Sequence, residues 1–458
     1  MLDLNQAVPM RWPSGPLDIA LRDHRERQVL DDWHRPASLA ILKGTPVNCL
    51  LVTWAAGLPE DAEQQRTLEP LLSAGREAGI SFVAWIGGKA GQEAAAAAAR
   101  ARGLAVVPMT PRSGIDWNAP MLAIGDNVWP GVQVAVAGAS GPPWVDSNDW
   151  FLQMVRARAP AANIWMIADP PGGNTVVPPE RYPVTVADVA VYGARWVVSL
   201  DDHFRAGLAA GDAAAVAAWR NTAATIRFFE ERPEWRRYRP MAAVAVMSDF
   251  EAKNEFLAGE IMNLMARRRL PFRVIGKDGT LDGIKAVVAL DGQAPESALE
   301  KRLLAFAAAG GLLVVGRAWK ARPAGLPDLR HPRFDVWRTG SGRMAISKEE
   351  SPDPYWVAGD VHLLLGHAND PYRLHNEGSH GCHYAAAPDG RSAILDIVTY
   401  SSTESDLMTV WFHESYRSAR LWTAHAPKPE PLRLAPQKRG VEVYLPLIRD
   451  YAAVEVTR

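Results

Sequence analysis

Between about residues 9 and 235, short apolar runs alternate with amphipathic helical patterns, and this alternation restricts the fold more than any other feature. The runs are VPMRWP (8–13), NCLLVTW (48–54), SFVAWIG (81–87), LAVVPMT (104–110), MLAIG (121–125), VQVAVA (132–137), NIWMIA (163–168) and RWVVSL (195–200). Helical patterns fall between and after them, among them 66–79, 91–103, 149–159, 185–194 and the long stretch 213–232. A strand buried on both faces reads as a continuous apolar run, and strand–helix alternation is the mark of βαβ units. Eight runs in this length predict an α/β fold, a compact (β/α)8 barrel whose functional face lies at the carboxyl ends of its strands. An open doubly wound sheet is the alternative, weakened because no GxGxxG follows the first run.

The rest of the chain is different material. After the basic linker RPEWRRYRP (232–240), the strand pattern MAAVAVMSD is followed by helix, strand, strand, helix and strand through LLVVG (312–316). This predicts a flavodoxin-like unit, closing with RMAISKE and a helix over 355–367. Beyond about 371 the period becomes two, with a hairpin around PDGR (388–391), which predicts a small β-sandwich. The expected domains are therefore 1–238, 239–370 and 371–458, since 458 residues exceed one ordinary core.

Composition narrows the partners. A formal net charge of -1 does not support a nucleic-acid-binding surface. No run approaches the roughly 18 apolar residues of a spanning helix, so no membrane partner is expected. The N-terminus lacks the basic and apolar regions of a signal peptide, which predicts a cytoplasmic protein, or an exported one whose signal has been removed. Cys49 and Cys382 are the only cysteines and make no disulfide framework. Seventeen tryptophans are an unusually large supply of flat rings, which serve as core filler and as platforms for sugars.

In order, barrel, α/β unit and sandwich resemble the three-domain plan of glycoside hydrolase family 42 β-galactosidases and their relatives. The stretch KAVVALDGQAPESALEKRLLAFAAAGGLLVVG is similar to their class I glutamine amidotransferase-like middle domain, and LPLIRDYAAVEV to their closing strands. The resemblance implies a carbohydrate substrate, a site at the barrel mouth, and a homo-oligomer. The sequence departs from the family where its catalytic glutamates belong. Pro108–Met109–Thr110 stands after the fourth run instead of Asn–Glu, and Ala168–Asp169–Pro170 stands after the seventh instead of a glutamate.

Glycoside hydrolysis needs two carboxyl groups across the scissile bond, one protonated and one ionised. Asp146 and Asp169 are the leading candidates, with Asp149 and Asp202 next, and Asp126 and Asp201 also lying at the strand ends. Trp12, Trp54, Trp85, Trp129 and Trp144, with Asn148, are the candidate substrate-binding residues, while Trp165 and Trp196 read as core. PPWVDSNDWF (142–151) doubles as a helix start, with a side chain among residues 146–149 expected to cap it. The function expected is hydrolysis of a glycoside, and the alternative is a non-catalytic carbohydrate-binding or scaffold protein on the same frame. No cofactor is expected. Glutaminase chemistry needs a cysteine that residues 241–370 lack. Five histidines, 362, 367, 375, 380 and 383, cluster beside Cys382, yet no metal site is expected. On a continuous helix His362 and His367 diverge by roughly 140°, and Cys382 and His383 face opposite sides of a strand.

Overall fold

The computed structural model describes residues 3–13, 24–54, 59–86, 92–132, 145–172, 176–250, 253–290, 297–401 and 407–458. Seven strands pair in sequence order and all in parallel: Pro9–Arg11, Cys49–Thr53, Ser81–Ile86, Ala105–Thr110, Met121–Ile124, Asn163–Met166 and Arg195–Trp196. A bridge from Met10 to Val198, with Arg11 N donating to Val198 O at 2.8 Å, brings the two edges together into a nearly closed barrel. Closure removes the exposed strand edges that an open sheet would present.

Among the described residues the barrel has seven strands, where the eight runs predicted eight. Met121–Ile124 bonds directly to Asn163–Met166, which leaves no edge between them for another strand. Val132, the first residue of the run VQVAVA, sits instead in a two-residue antiparallel ladder opposite Val145, and residues 133–137 lie outside the described residues. An apolar run records burial, and a short ladder in a connection satisfies that as well as a barrel strand does.

Side chains alternate along the barrel strands with a period of two. Cys49, Leu51, Val83, Trp85, Trp165 and Val197 belong to the inner cluster, while Leu50, Val52, Phe82, Ala84, Ile164 and Met166 pack with the helices. At the amino ends of the strands, buried Arg195 ties the ring together. Its Nε and Nη2 donate to the two carboxylate oxygens of Glu230 at 2.7 and 2.8 Å, and its Nη1 donates to Asn5 O at 2.9 Å and Asn163 Oδ1 at 3.2 Å. Arg236 adds a second cation to Glu230.

The middle sheet sets Phe272–Ile275, Val244–Met247, Ala286–Ala289, Leu312–Val315 and Gly342–Ser347 side by side in parallel, an order of second, first, third, fourth, fifth by sequence. This is a doubly wound order. Helices Lys253–Arg267 and Pro354–Leu365 pack on one face and Ser297–Ala308 on the other, so alternate strand residues enter two separate cores. Trp150, on the helix Asp149–Arg158, lies so close to Gly259 that a Cβ there would sit 2.8 Å from its ring. The glycine lets the indole seat against the helix Lys253–Arg267 and joins the two regions in one apolar cluster.

The C-terminal strands form two antiparallel sheets of six and four strands around a shared core containing Leu395, Ile397, Val410, Phe412, Val443 and Val454. The hairpin expected around PDGR is present as His380–Ala386 and Ser392–Thr399, with Gly390 at φ +67°. The end of the basic linker is not free: Arg239–Pro240 pairs with Ala385–Ala386 as the edge of the larger sheet. Among the described residues, no helix is long and apolar enough to cross a membrane.

Candidate functional site

Among the described residues, the carboxyl ends of the barrel strands hold an exposed charged pair. Arg11, the last residue of the first strand, is ion-paired through Nη1 with Asp169, three residues past the sixth strand. The Arg11 guanidinium lies over the Trp85 ring at 4.7 Å from its centroid, a cation–π contact that fixes the plane of the fork. Ser199, just past the seventh strand, donates its hydroxyl to Asp169 Oδ1 at 3.5 Å. Asp169 is 65% exposed in its side chain and Arg11 21%, so the pair offers acceptor lone pairs and guanidinium donors to the mouth. Asp126, exposed and at φ +56°, follows the fifth strand, whose Ile124 is paired with Met166 of the sixth.

The strand-end tryptophans are more deeply set than a sugar platform requires. Trp12 is 1% exposed and donates Nε1 to Trp33 O at 3.0 Å. Trp54 and Trp85 are 5% and 8% exposed, and neither indole N–H finds an acceptor among the described residues. Trp129 is half-buried, edge-on to Tyr182 and Trp196. Trp165 and Trp196 are buried, as core residues should be. Trp144 lies outside the described residues.

The acids of VDSNDW go to different places. Asp146 is opposite Gly131 in the two-residue ladder, half-buried, and its charge is felt by Arg267 on the neighbouring helix. Asn148 occupies the N-cap position of the helix Asp149–Arg158, but its side chain does not cap it. That side chain is fully buried and committed elsewhere. Its Oδ1 accepts from Arg112 Nη2 at 3.0 Å and Val128 N at 3.2 Å, and its Nδ2 donates to Val128 O at 3.0 Å and Asp188 Oδ2 at 2.9 Å. Asp202 starts its helix and is bonded to Arg205 at 3.0 Å, while Asp201 before it is the N-cap that accepts from Phe204 N.

A continuous polar chain thus runs from the mouth to the C-terminal sheet. Asn127 Nδ2 bridges the ends of the fifth and sixth strands by donating to Ile124 O and Ile167 O, and its Oδ1 accepts from Arg112 Nε at 3.3 Å. Arg112 reaches Asn148, Asn148 reaches Asp188, and Tyr400 Oη donates to Asp188 Oδ1 at 2.6 Å. Burial pushes the Asp188 carboxyl up to about 6, against the hydrogen bonds from Tyr400 and Asn148 that favour its charge. Sequence reasoning passed over Asp188, although a lone acid inside the apolar run TVADVAV is itself a signal.

Asp149 faces away from the mouth, into the seam where the barrel helix, the helix Lys253–Arg267 and the strand His380–Ala386 meet. It is buried, its Oδ1 accepts from Gln153 Nε2 at 2.6 Å, and burial raises its carboxyl above the usual range. A small cleft along this seam is lined by Ser147, Asp149, Arg267, Arg269, His380 and Tyr400 among others. Glu377, paired with Arg269 at 2.5 Å, is pushed by burial up to about 7. His380 is pushed down to about 4 by burial and then by the Arg269 charge. The raised Glu377 carboxyl can hold or give a proton near neutral pH.

The histidines do not all follow the expectation. The helix Pro354–Leu365 stops at Gly366 (φ +82°), so His367 lies beyond it and the helical angle does not apply. The His362 and His367 rings meet at 4.4 Å between centroids. Cys382 and His383 do diverge, Cys382 toward the sandwich core and His383 onto the Tyr192 ring at 4.7 Å.

No family model matches the sequence, and no curated protein matches it. Among solved structures the chain is similar to β-galactosidase from Bacillus circulans sp. alkalophilus, with TM-score 0.49 and 12% identity over 88% of this chain and 68% of that one. It is similar to a GH42 β-galactosidase from G. stearothermophilus, with TM-score 0.46 and 11% identity over 87% and 67%. It is also similar to α-L-fucosidase isoenzyme 2 from Paenibacillus thiaminolyticus, with TM-score 0.44 and 11% identity over 94% and 79%.

Proposed function

We propose that the barrel mouth binds a carbohydrate through Asp169 and Arg11. The carrying observation is the exposed Asp169–Arg11 pair, at the carboxyl ends of the sixth and first strands and braced by Trp85. Neighbouring sugar hydroxyls each donate and accept, and a carboxylate beside a planar guanidinium answers both roles. Titration with a panel of mono- and oligosaccharides by calorimetry is expected to find a ligand whose affinity falls about tenfold or more in Asp169→Ala and in Arg11→Met, a loss of about 1.4 kcal/mol. Asp169 is exposed, so the fold tolerates its removal. Equal affinity in wild type and both variants, or no sugar bound at all, rejects the reading.

Hydrolysis of the bound glycoside is the second reading, and one observation favours it. Asp126 and Asp169 follow neighbouring strands paired at Ile124 and Met166, and adjacent strands lie about 4.8 Å apart. Side chains at neighbouring strand ends can come within the separation that glycosidases use, about 5–10 Å. Turnover of aryl glycosides is expected to drop at least about 100-fold in Asp126→Asn and Asp169→Asn. Asp146→Asn tests the other candidate partner in the same assay. Turnover that survives Asp126→Asn and falls with Asp146→Asn moves the dyad, and turnover indifferent to Asp169→Asn ends this reading.

A further inference from the structure

Away from the mouth, two imidazoles and a buried carboxylate converge where the middle sheet hands over to the sandwich. His362 lies in the last turn of the helix Pro354–Leu365, and Gly366 turns the chain out of the helix. The turn His367–Asn369 then carries it to Asp370, just before the strand Tyr372–His375. His362 Nε2 is 2.8 Å from Asp370 Oδ1, and His367 Nδ1 is 3.1 Å from Asp370 Oδ2. One donor atom from each residue lies within 4.8 Å of the others. The Asp370 side chain is 6% exposed, His362 22% and His367 64%, so the group is anchored below and open to solvent above.

We propose that His362, His367 and Asp370 form a binding site for a divalent transition-metal ion of the zinc class. The ligand atoms are His362 Nε2, His367 Nδ1 and one Asp370 oxygen, with water completing the shell on the open side. Two neutral imidazoles and one carboxylate are a donor set that Zn²⁺, Co²⁺ and Ni²⁺ accept and that Ca²⁺ and Mg²⁺ do not favour. Arg373 Nε donates to Asp370 Oδ2 at 2.9 Å, and its guanidinium rests over Trp411 at 4.8 Å. That hydrogen bond orients the carboxylate and leaves Oδ1 for the ion, as partners of metal-bound carboxylates do. Arg373 also brings a positive charge close to the ion, which lowers the affinity and argues for a moderate rather than a very tight site. To bind the ion each neutral ring presents a bare nitrogen on the side that now faces Asp370 and carries its proton on the other ring nitrogen. The ion's effect on the fold is to tie the helix end to the first strand of the smaller sheet.

Chelator-treated protein titrated with Zn²⁺, and separately with Co²⁺ followed by its visible absorption, is expected to bind one equivalent. His367→Ala, which removes a mostly exposed ring and leaves the fold intact, and His362→Ala are each expected to weaken that binding at least tenfold. His375→Ala, an exposed imidazole outside the group, is expected to leave it unchanged. Added Zn²⁺ is expected to raise the melting temperature of wild type and not of His367→Ala. Failure to bind one equivalent overturns the proposal and leaves Asp370 as an ion-pair hub for His362, His367 and Arg373. Binding that follows His375 instead of His367 overturns it as well.

Discussion

Asp188→Ala is expected to lower the free energy of unfolding by about 3–5 kcal/mol, because it strands three buried donors at once. These are Asn148 N, Asn148 Nδ2 and Tyr400 Oη, which converge on one carboxylate that is 1% exposed. Asp188→Asn is the informative contrast. Its amide oxygen can take both Asn148 bonds, and its Nδ2 can donate to Tyr400 Oη, so the network survives. The charge does not, and this alters the pH dependence. The wild-type carboxyl sits near 6 in the folded protein against 3.8 for the free side chain, so the folded state holds this proton more tightly. Its contribution is therefore most favourable below 3.8 and is lost as the pH rises to about 6. The stability of wild type relative to Asp188→Asn should fall by on the order of 2–3 kcal/mol between pH 4 and pH 7. Denaturant titrations at four pH values in that range measure the difference directly, and a flat difference would contradict a carboxyl raised by burial.

Arg195→Met has an effect of similar size at the opposite end of the barrel. The substitution leaves Glu230 half-partnered and removes the donors to Asn5 O and Asn163 Oδ1 that join the amino ends of separate strands. Removing one member of a buried, bidentate pair costs about 3–5 kcal/mol. Burial alone would raise the Glu230 carboxyl, but Arg195 and Arg236 outweigh it and hold it below 4.5. A depressed carboxylate contributes stability above its unfolded value, and that contribution is lost as the pH falls through the folded value. In Arg195→Met the Arg236 contact remains, so the acid-unfolding midpoint should move to higher pH without losing the transition altogether. An unchanged acid limb, measured by circular dichroism, would show that the pair does not govern it.

The barrel was legible because its constraint is local. Runs such as NCLLVTW and SFVAWIG can be satisfied only by strands covered on both faces, and Leu50 and Leu51 in the structure enter opposite cores. The strand count was less legible, since VQVAVA records burial without recording which edge it pairs with. For the candidate site, the sequence placed some side chains and misplaced others. Asp169 reached the mouth because the position follows directly from a strand end. Asn148 and Asp149 are adjacent in sequence and similar in chemistry, but the start of a helix points successive side chains about 100° apart. One was therefore delivered to the seam and the other to a buried network. Arg11 was passed over because, in VPMRWP, an arginine beside a tryptophan reads as a strand end and nothing more.

By itself the sequence determined where backbone hydrogen bonds must be made locally, and so the order of strands, helices and the closing hairpins. It also determined one break that a periodic reading overrode: Gly366 can hold φ +82° where other residues resist it, and this separates His367 from the helix carrying His362. Only the tertiary structure decided which charges meet. Arg11 and Asp169 are 158 positions apart, and Tyr400 and Asp188 are 212. No local propensity encodes such pairs. They exist because barrel closure and the docking of the C-terminal sheet bring distant chain segments within hydrogen-bonding reach, and at Asp188 burial makes an unpartnered carboxylate too costly to leave in place.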